Sequence, residues 1–200
     1  MTTLAKPATD FAAARRSMID SQLRPSGVND LVVLQRMGSV PREDFVPERA
    51  RAYAYMDRAV PLGDGAALAA PVVHGLMLSE ARPQPSDRVL IVDAGSGYLA
   101  ALVEPLVSEL ETISPEEAAK SSRKAGAFTL LLVDGAVEAL PASLVKRLGD
   151  DARVVTGLVR NGVTRLAIGR KAGGGVALQP LAEVGIPRLH AFDTEKGWSF

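Results

Sequence analysis

The residues of this 200-residue chain best suited to chemistry lie in one stretch, DRVLIVDAGSGYLAALVEPLVSELETIS, residues 87–114. An apolar run, VLIV, enters a glycine turn, DAGSGY, and a helix-compatible segment follows. Glycines after a strand let backbone amides approach a ligand closely, and the helix that starts there favours anionic groups. Gly95, Ser96 and Gly97 hold that place, with Asp93 before them and Tyr98 after. A glycine turn also serves plain chain reversal. Asp93 read by itself is a helix cap, since Asp favours such turns whatever the ligand, and Tyr98 suits packing equally well. No Gly-Lys-Ser/Thr follows, which excludes a P-loop. Glu116 and Glu117 suit the first turn of a helix, whose dipole favours acids; Asp134 and Glu138 read equally as pocket-lining or capping residues.

Those residues need elements to position them. Residues 10–24 predict a helix stopped by Pro25, and 29–40 a second helix with Asn29 as its cap. Residues 59–71 read as loop, and VVHGLMLSEA as a helix carrying His74 on its surface or at a cap. From Ser86 the pattern alternates: strand RVLIVDA, helix YLAALVEPLVS, strand ELETIS, helix PEEAAKSSRKAG, strand FTLLLVDGA, helix PASLVKRLG. ARVVTGLV and TRLAIGRK follow as strands joined through Asn161-Gly162, a strong hairpin signal. RKAGGGVA reads as a turn before a last strand, and the aromatic tail is expected to pack back onto the sheet. Alternating strands and helices predict a mainly parallel α/β sheet.

Composition narrows the function. Lys+Arg and Asp+Glu balance at 23 each, without long single-sign runs, which argues against a nucleic-acid or anionic-membrane surface. Cysteine is absent, removing disulfides, thiolate metal sites and cysteine nucleophiles. His74 and His190 stand far apart with no acids at ligand spacing, so no metal is expected. No apolar run approaches the ~18 residues of a membrane span, and the first twenty residues lack a signal-peptide core. A cytoplasmic protein is expected.

VPREDFVP (residues 40–47), AYMDRAVPLG (54–63) and GSGY (95–98), in this order, resemble a protein-L-isoaspartate O-methyltransferase. The resemblance covers nearly the whole chain. It implies an α/β, Rossmann-like S-adenosylmethionine methyltransferase sheet, shortened at one edge, with an N-terminal helical cover. Residues 1–85 would form the cover and substrate-loop segment and 86–200 the methyltransferase domain, as one structural unit. The family methylates the free carboxylate of isoaspartyl residues in damaged proteins, beginning their repair. By resemblance the cofactor, S-adenosyl-L-methionine, falls to Asp93, Gly95, Ser96, Gly97, Tyr98 and Glu116, and the substrate loop to Ala67, Ala69 and Pro71.

The same resemblance exposes departures. The family's Thr-Ile-Ser-Gln-Pro loop reads ALAAP here, so Ala69 stands where a serine hydroxyl holds the substrate carboxylate. No catalytic side chain is retained. Ile91 replaces an acid, Asp93 replaces the first glycine, and Ser114 takes the place of the ribose-binding acid. Only residues 115–127 separate the second strand from Phe128, room for one helix and a turn. Another strand with its return helix needs about thirty residues or more. The family's third strand, whose loop packs on adenine, therefore has no room. Two readings follow: a methyltransferase acting on isoaspartyl proteins or peptides, or a non-catalytic binding module with a protein partner or a second copy of itself.

Overall fold

In the computed structural model, residues 10–120 and 125–194 are described. α1 (Phe11–Met18) starts on Asp10, whose side chain accepts from the Ala13 amide, and runs on as a wider π-turn to Leu23. α2 (Leu31–Ser39) starts on Asp30, whose carboxylate accepts from the Val32 and Val33 amides. The cap is thus one residue later than Asn29, and the charged group serves two orphan amides at once. Two 3-10 turns, Arg42–Phe45 and Glu48–Tyr53, follow.

The segment read as loop forms a hairpin, β1 (Val60–Gly63) and β2 (Ala66–Leu68). Asp64 and Gly65 both sit at positive φ, 49° and 79°. That is the two-residue turn which Asp-Gly favours. α3 (Pro71–Ala81) begins with its proline in the first turn, where the missing N–H costs nothing.

The sheet comprises β3 (Arg88–Asp93), β4 (Glu109–Ile113), β5 (Phe128–Val137), β6 (Leu148–Arg160), β7 (Val163–Ala172) and β8 (Gly175–Glu183). Its order is β4-β3-β5-β6-β7-β8. The first four strands are parallel, and β7 and β8 are antiparallel additions. Asn161 and Gly162 turn β6 into β7 as predicted, at φ 52° and 77°. Between strands lie α4 (Tyr98–Val103), α5 (Pro115–Ala119) and α6 (Ala142–Val145). α4 ends at a 3-10 turn holding Pro105. α5 is shorter than predicted, and residues 121–124 of that prediction lie outside the described residues. β4 closes the sheet, and no described strand pairs with its outer side.

Strand periodicity separates two cores. Val89, Ile91, Leu130 and Leu132 face the cover, with Met18, Met37 and Leu78. Leu90, Val92, Leu131 and Val133 face the other way, with Leu144 and Phe192. β3 is buried on both faces, as a central parallel strand must be. Each such side chain contributes on the order of 1.5–3 kcal/mol by leaving water. Of the tail aromatics expected to fold back, Trp198 and Phe200 lie outside the described residues. No described helix is long and apolar enough to cross a membrane.

Candidate functional site

β3 ends with Asp93 in register beside Asp134 of β5, and the chain turns there toward α4. Gly95 (φ 107°) and Gly97 (φ 71°) take backbone conformations that side chains rarely tolerate. The Asp93 carboxylate accepts from the Gly97 amide at 2.6 Å, and from the Ser96 amide and hydroxyl at 3.1 Å each. Asp93 therefore caps its own turn. Ser96 Oγ in turn accepts from the Tyr98 amide at 3.2 Å.

Beneath the turn runs a buried polar chain that sequence reasoning missed. His74 Nε2 lies 3.0 Å from Asp134, and its Nδ1 lies 3.3 Å from a guanidinium nitrogen of Arg42. Arg42 can only donate, so Nδ1 accepts and the ring proton sits on Nε2, facing Asp134. Arg42 also donates to the carbonyls of Ala54, at 2.7 Å, and of Ala69. Burial lowers the pKa of Arg42 from its ordinary value. His74, expected at a helix surface or cap, is wholly buried, because the first turns of α3, Pro71 to Gly75, are buried between cover and sheet.

Tyr98, expected at the cofactor, is also wholly buried. Its ring meets Phe45 and His74 edge-on, both at 5.3 Å, under the Arg42 guanidinium. Of its two readings this placement favours packing, since the first turn of α4 points it into the cover rather than the cleft.

Two neighbouring concavities open beside this floor. A cleft of about 350 Å³ beyond the carboxyl ends of β3 and β4 is lined by Asp93, Gly95, Ser114 and Glu116. Ligands of such sheets bind at that place, and the volume is within the range of small-molecule sites. Ser114 caps α5 by accepting from the Glu117 amide at 3.2 Å. Glu116 has a lowered pKa, held down first by its own backbone amide and then by the Ser114 hydroxyl. Ser96 and Gly97 lie in the turn itself, occupied with Asp93.

A wider groove, about 970 Å³, has Ala67 and Ala70 in its wall, with Arg58 and Ile186. Both concavities include Gly65, Arg188 and His190, so they adjoin. Ala69 is buried behind the groove wall, only 1% exposed, and Pro71 starts α3. Of Ala67, Ala69 and Pro71, the first reaches the groove, where Ala70 joins it.

A C-terminal strap, residues 186–194, crosses the end of β5 above the cleft. The Ala136 amide donates to Pro187 at 2.7 Å, and the Leu189 amide donates to Ala136 at 2.9 Å. Arg188 pairs with Asp193 at 2.7 Å and with Glu138, which also accepts from the Thr194 amide. Glu138 thus anchors the strap. Leu189 covers Gly135 so closely that a Cβ there would collide with it. No motif signalled the strap, because it grips backbone, a glycine and the single side chain of Glu138.

An α/β sheet with its concavity past the ends of the central parallel strands belongs to the Rossmann-like, nucleotide-cofactor class. The chain belongs to the protein-L-isoaspartate(D-aspartate) O-methyltransferase family, whose profile matches residues 14–127. A protein-L-isoaspartate O-methyltransferase of Roseiflexus castenholzii is 32% identical, across 93% of this chain and 97% of that protein. The one from Roseiflexus sp. strain RS-1 is 44% identical over 54% of this chain, a match spanning about half of the relative, 50%. Among solved structures, a Plasmodium falciparum chain assigned to this family, in complex with S-adenosyl-L-homocysteine, superposes with a TM-score of 0.71. That likeness covers 92% of this chain and all, 100%, of the other; at 19% identity it speaks to fold alone.

Proposed function

We propose that the chain is an S-adenosylmethionine-dependent carboxyl O-methyltransferase of low turnover, acting on isoaspartyl-containing polypeptides laid in the wide groove. The observation carrying this reading is that Asp93, Gly95, Ser114 and Glu116 meet on one cleft adjoining that groove. The cleft's side chains match the cofactor's chemistry. Asp93 and Glu116 suit its cationic and hydroxyl groups, and Pro115, Leu189 and Ala191 its apolar base. When bound, S-adenosylmethionine supplies an electrophilic methyl group.

The chain's own task is positioning. A carboxylate acceptor is ionised at neutral pH, so no base has to remove a proton. The groove walls hold a polypeptide segment beside the cleft and exclude water, while Arg58 offers a carboxylate a charged donor. Ala69 has no hydroxyl to orient that carboxylate, and its carbonyl is turned to Arg42. Losing one orienting contact commonly costs roughly a hundredfold in rate. Methyl transfer from labelled cofactor to an isoaspartyl peptide is therefore expected to be slow, and absent with the matching aspartyl peptide. Equal labelling of both peptides, or none of either, overturns the reading.

A second reading, a non-catalytic binding module, is favoured by one observation. Asp93 already occupies the Ser96 and Gly97 amides, donors that a ligand's carboxylate would otherwise use. The outer edge of β4, unpaired among the described strands, is the surface such a module would offer to a protein partner or a second copy.

A further inference from the structure

We propose that the C-terminal strap, at Leu189, His190 and Ala191, is the cleft's base-binding wall, standing in for the strand that the short 115–127 connection has no room to form. This rests on the reading of the cleft as an S-adenosyl site and adds residues that neither motif nor family pattern assigns.

Three observations carry it. First, β4 is the sheet's last described strand, so nothing in the described sheet walls the cleft beyond Ser114. Second, the strap lies where that wall is needed: Leu189, His190 and Ala191 face the cleft together with Ser114, Pro115 and Glu116. Phe192, the end of the strap's 3-10 turn, is 5% exposed and packs into the core that holds Ile113 and Ala118. The strap is thus joined to the very elements, β4 and α5, that the lost strand would have flanked.

Third, the strap is held rigid before any ligand arrives. Backbone bonds to Ala136 fix Pro187 and Leu189, and ion pairs from Arg188 to Glu138 and Asp193 fix its middle. A preformed wall spares a ligand the ordering cost of making one. Its chemistry also suits a planar base: Pro115 and Leu189 are apolar, Ala191 is small, and the exposed His190 ring can stack or donate.

The test uses the full chain and S-adenosylhomocysteine. Amide hydrogen exchange should slow on binding at Leu189–Ala191 as well as at Gly95–Tyr98. Ala191→Trp, at an exposed position, should weaken affinity at least tenfold by calorimetry while leaving the thermal midpoint unchanged. Protection at Gly95–Tyr98 without any at the strap, with Ala191→Trp binding as well as wild type, overturns the wall and leaves the cofactor site standing. No binding at millimolar ligand overturns both, so the two failures are distinguishable.

Discussion

Around the glycine turn, polar groups are buried and matched to one another: Asp93 to two amides and a hydroxyl, Asp134 to His74, His74 to Arg42. Along the groove a few steps away, the wall is Ala67, Ala70 and Val73, with Arg58 at its exposed rim. The floor has exchanged openness for hydrogen bonds, all but the Tyr98 hydroxyl among these groups being satisfied, and the groove has kept space but few directed contacts. Buried polar networks are stable only when complete, so the floor should answer mutation through stability. The groove should answer through binding. Each substitution below separates those two responses.

The largest effect is expected at Arg42. Its side chain is fully buried and ties the cover to α3 through the carbonyls of Ala54 and Ala69 and the ring of His74. Arg42→Met keeps the length but leaves those acceptors, and Asp134 behind them, without their cation. Breaking one partner of a buried charge network costs about 3–5 kcal/mol. Urea denaturation of both proteins should show a loss of that order. A change under 1 kcal/mol would mean that water replaces the guanidinium, and that the floor is less closed than its hydrogen bonds imply.

The contrast also explains what could be read without coordinates. The glycine turn was legible because its geometry is local: strand, two glycines at positive φ and helix lie within Arg88–Val103. The mainly parallel sheet followed from alternation, and the shortened edge from the family resemblance together with the brevity of 115–127. The Arg42–His74–Asp134 chain was not legible, because its members lie 32 and 60 residues apart and only the fold brings them together. Asp64-Gly65 carried a hairpin signal that the surrounding prolines and alanines masked. For Tyr98 both a cofactor and a packing role stood open, because position after a turn says nothing of which way the first helical residue points.

Asp93 comes next in size and sharpens the two readings of the site. The N-cap position of α4 falls on Gly97 rather than Asp93, but the Asp93 carboxylate holds the turn's amides. A hydrogen bond to a charged group is worth about 1.5–3 kcal/mol, so Asp93→Ala should lower stability by that order. The amides of Ser96 and Gly97 should then exchange faster. If Asp93 serves the cofactor, the same variant binds S-adenosylhomocysteine more weakly than wild type. If instead affinity rises, the carboxylate was a plug in its own turn and the non-catalytic reading stands.

The smallest effect at neutral pH concerns Tyr55, which tests the cover away from both concavities. Its hydroxyl accepts from Arg15 Nε at 2.7 Å and from the Arg42 amide at 3.2 Å, and donates to Glu43. Burial first, then the bond to Glu43, raises its pKa from 10.0 to about 12. A proton held more tightly in the folded state gives stability that is fully present below pH 10.0 and fades as pH climbs through about 12. Wild type should therefore lose stability over that alkaline window, and Tyr55→Phe, with no proton to lose, should show a flatter profile there. Parallel pH profiles of the two proteins would place the alkaline loss elsewhere. The cover would then owe its seat on the sheet to Arg42 rather than to the Arg15–Tyr55–Glu43 cluster.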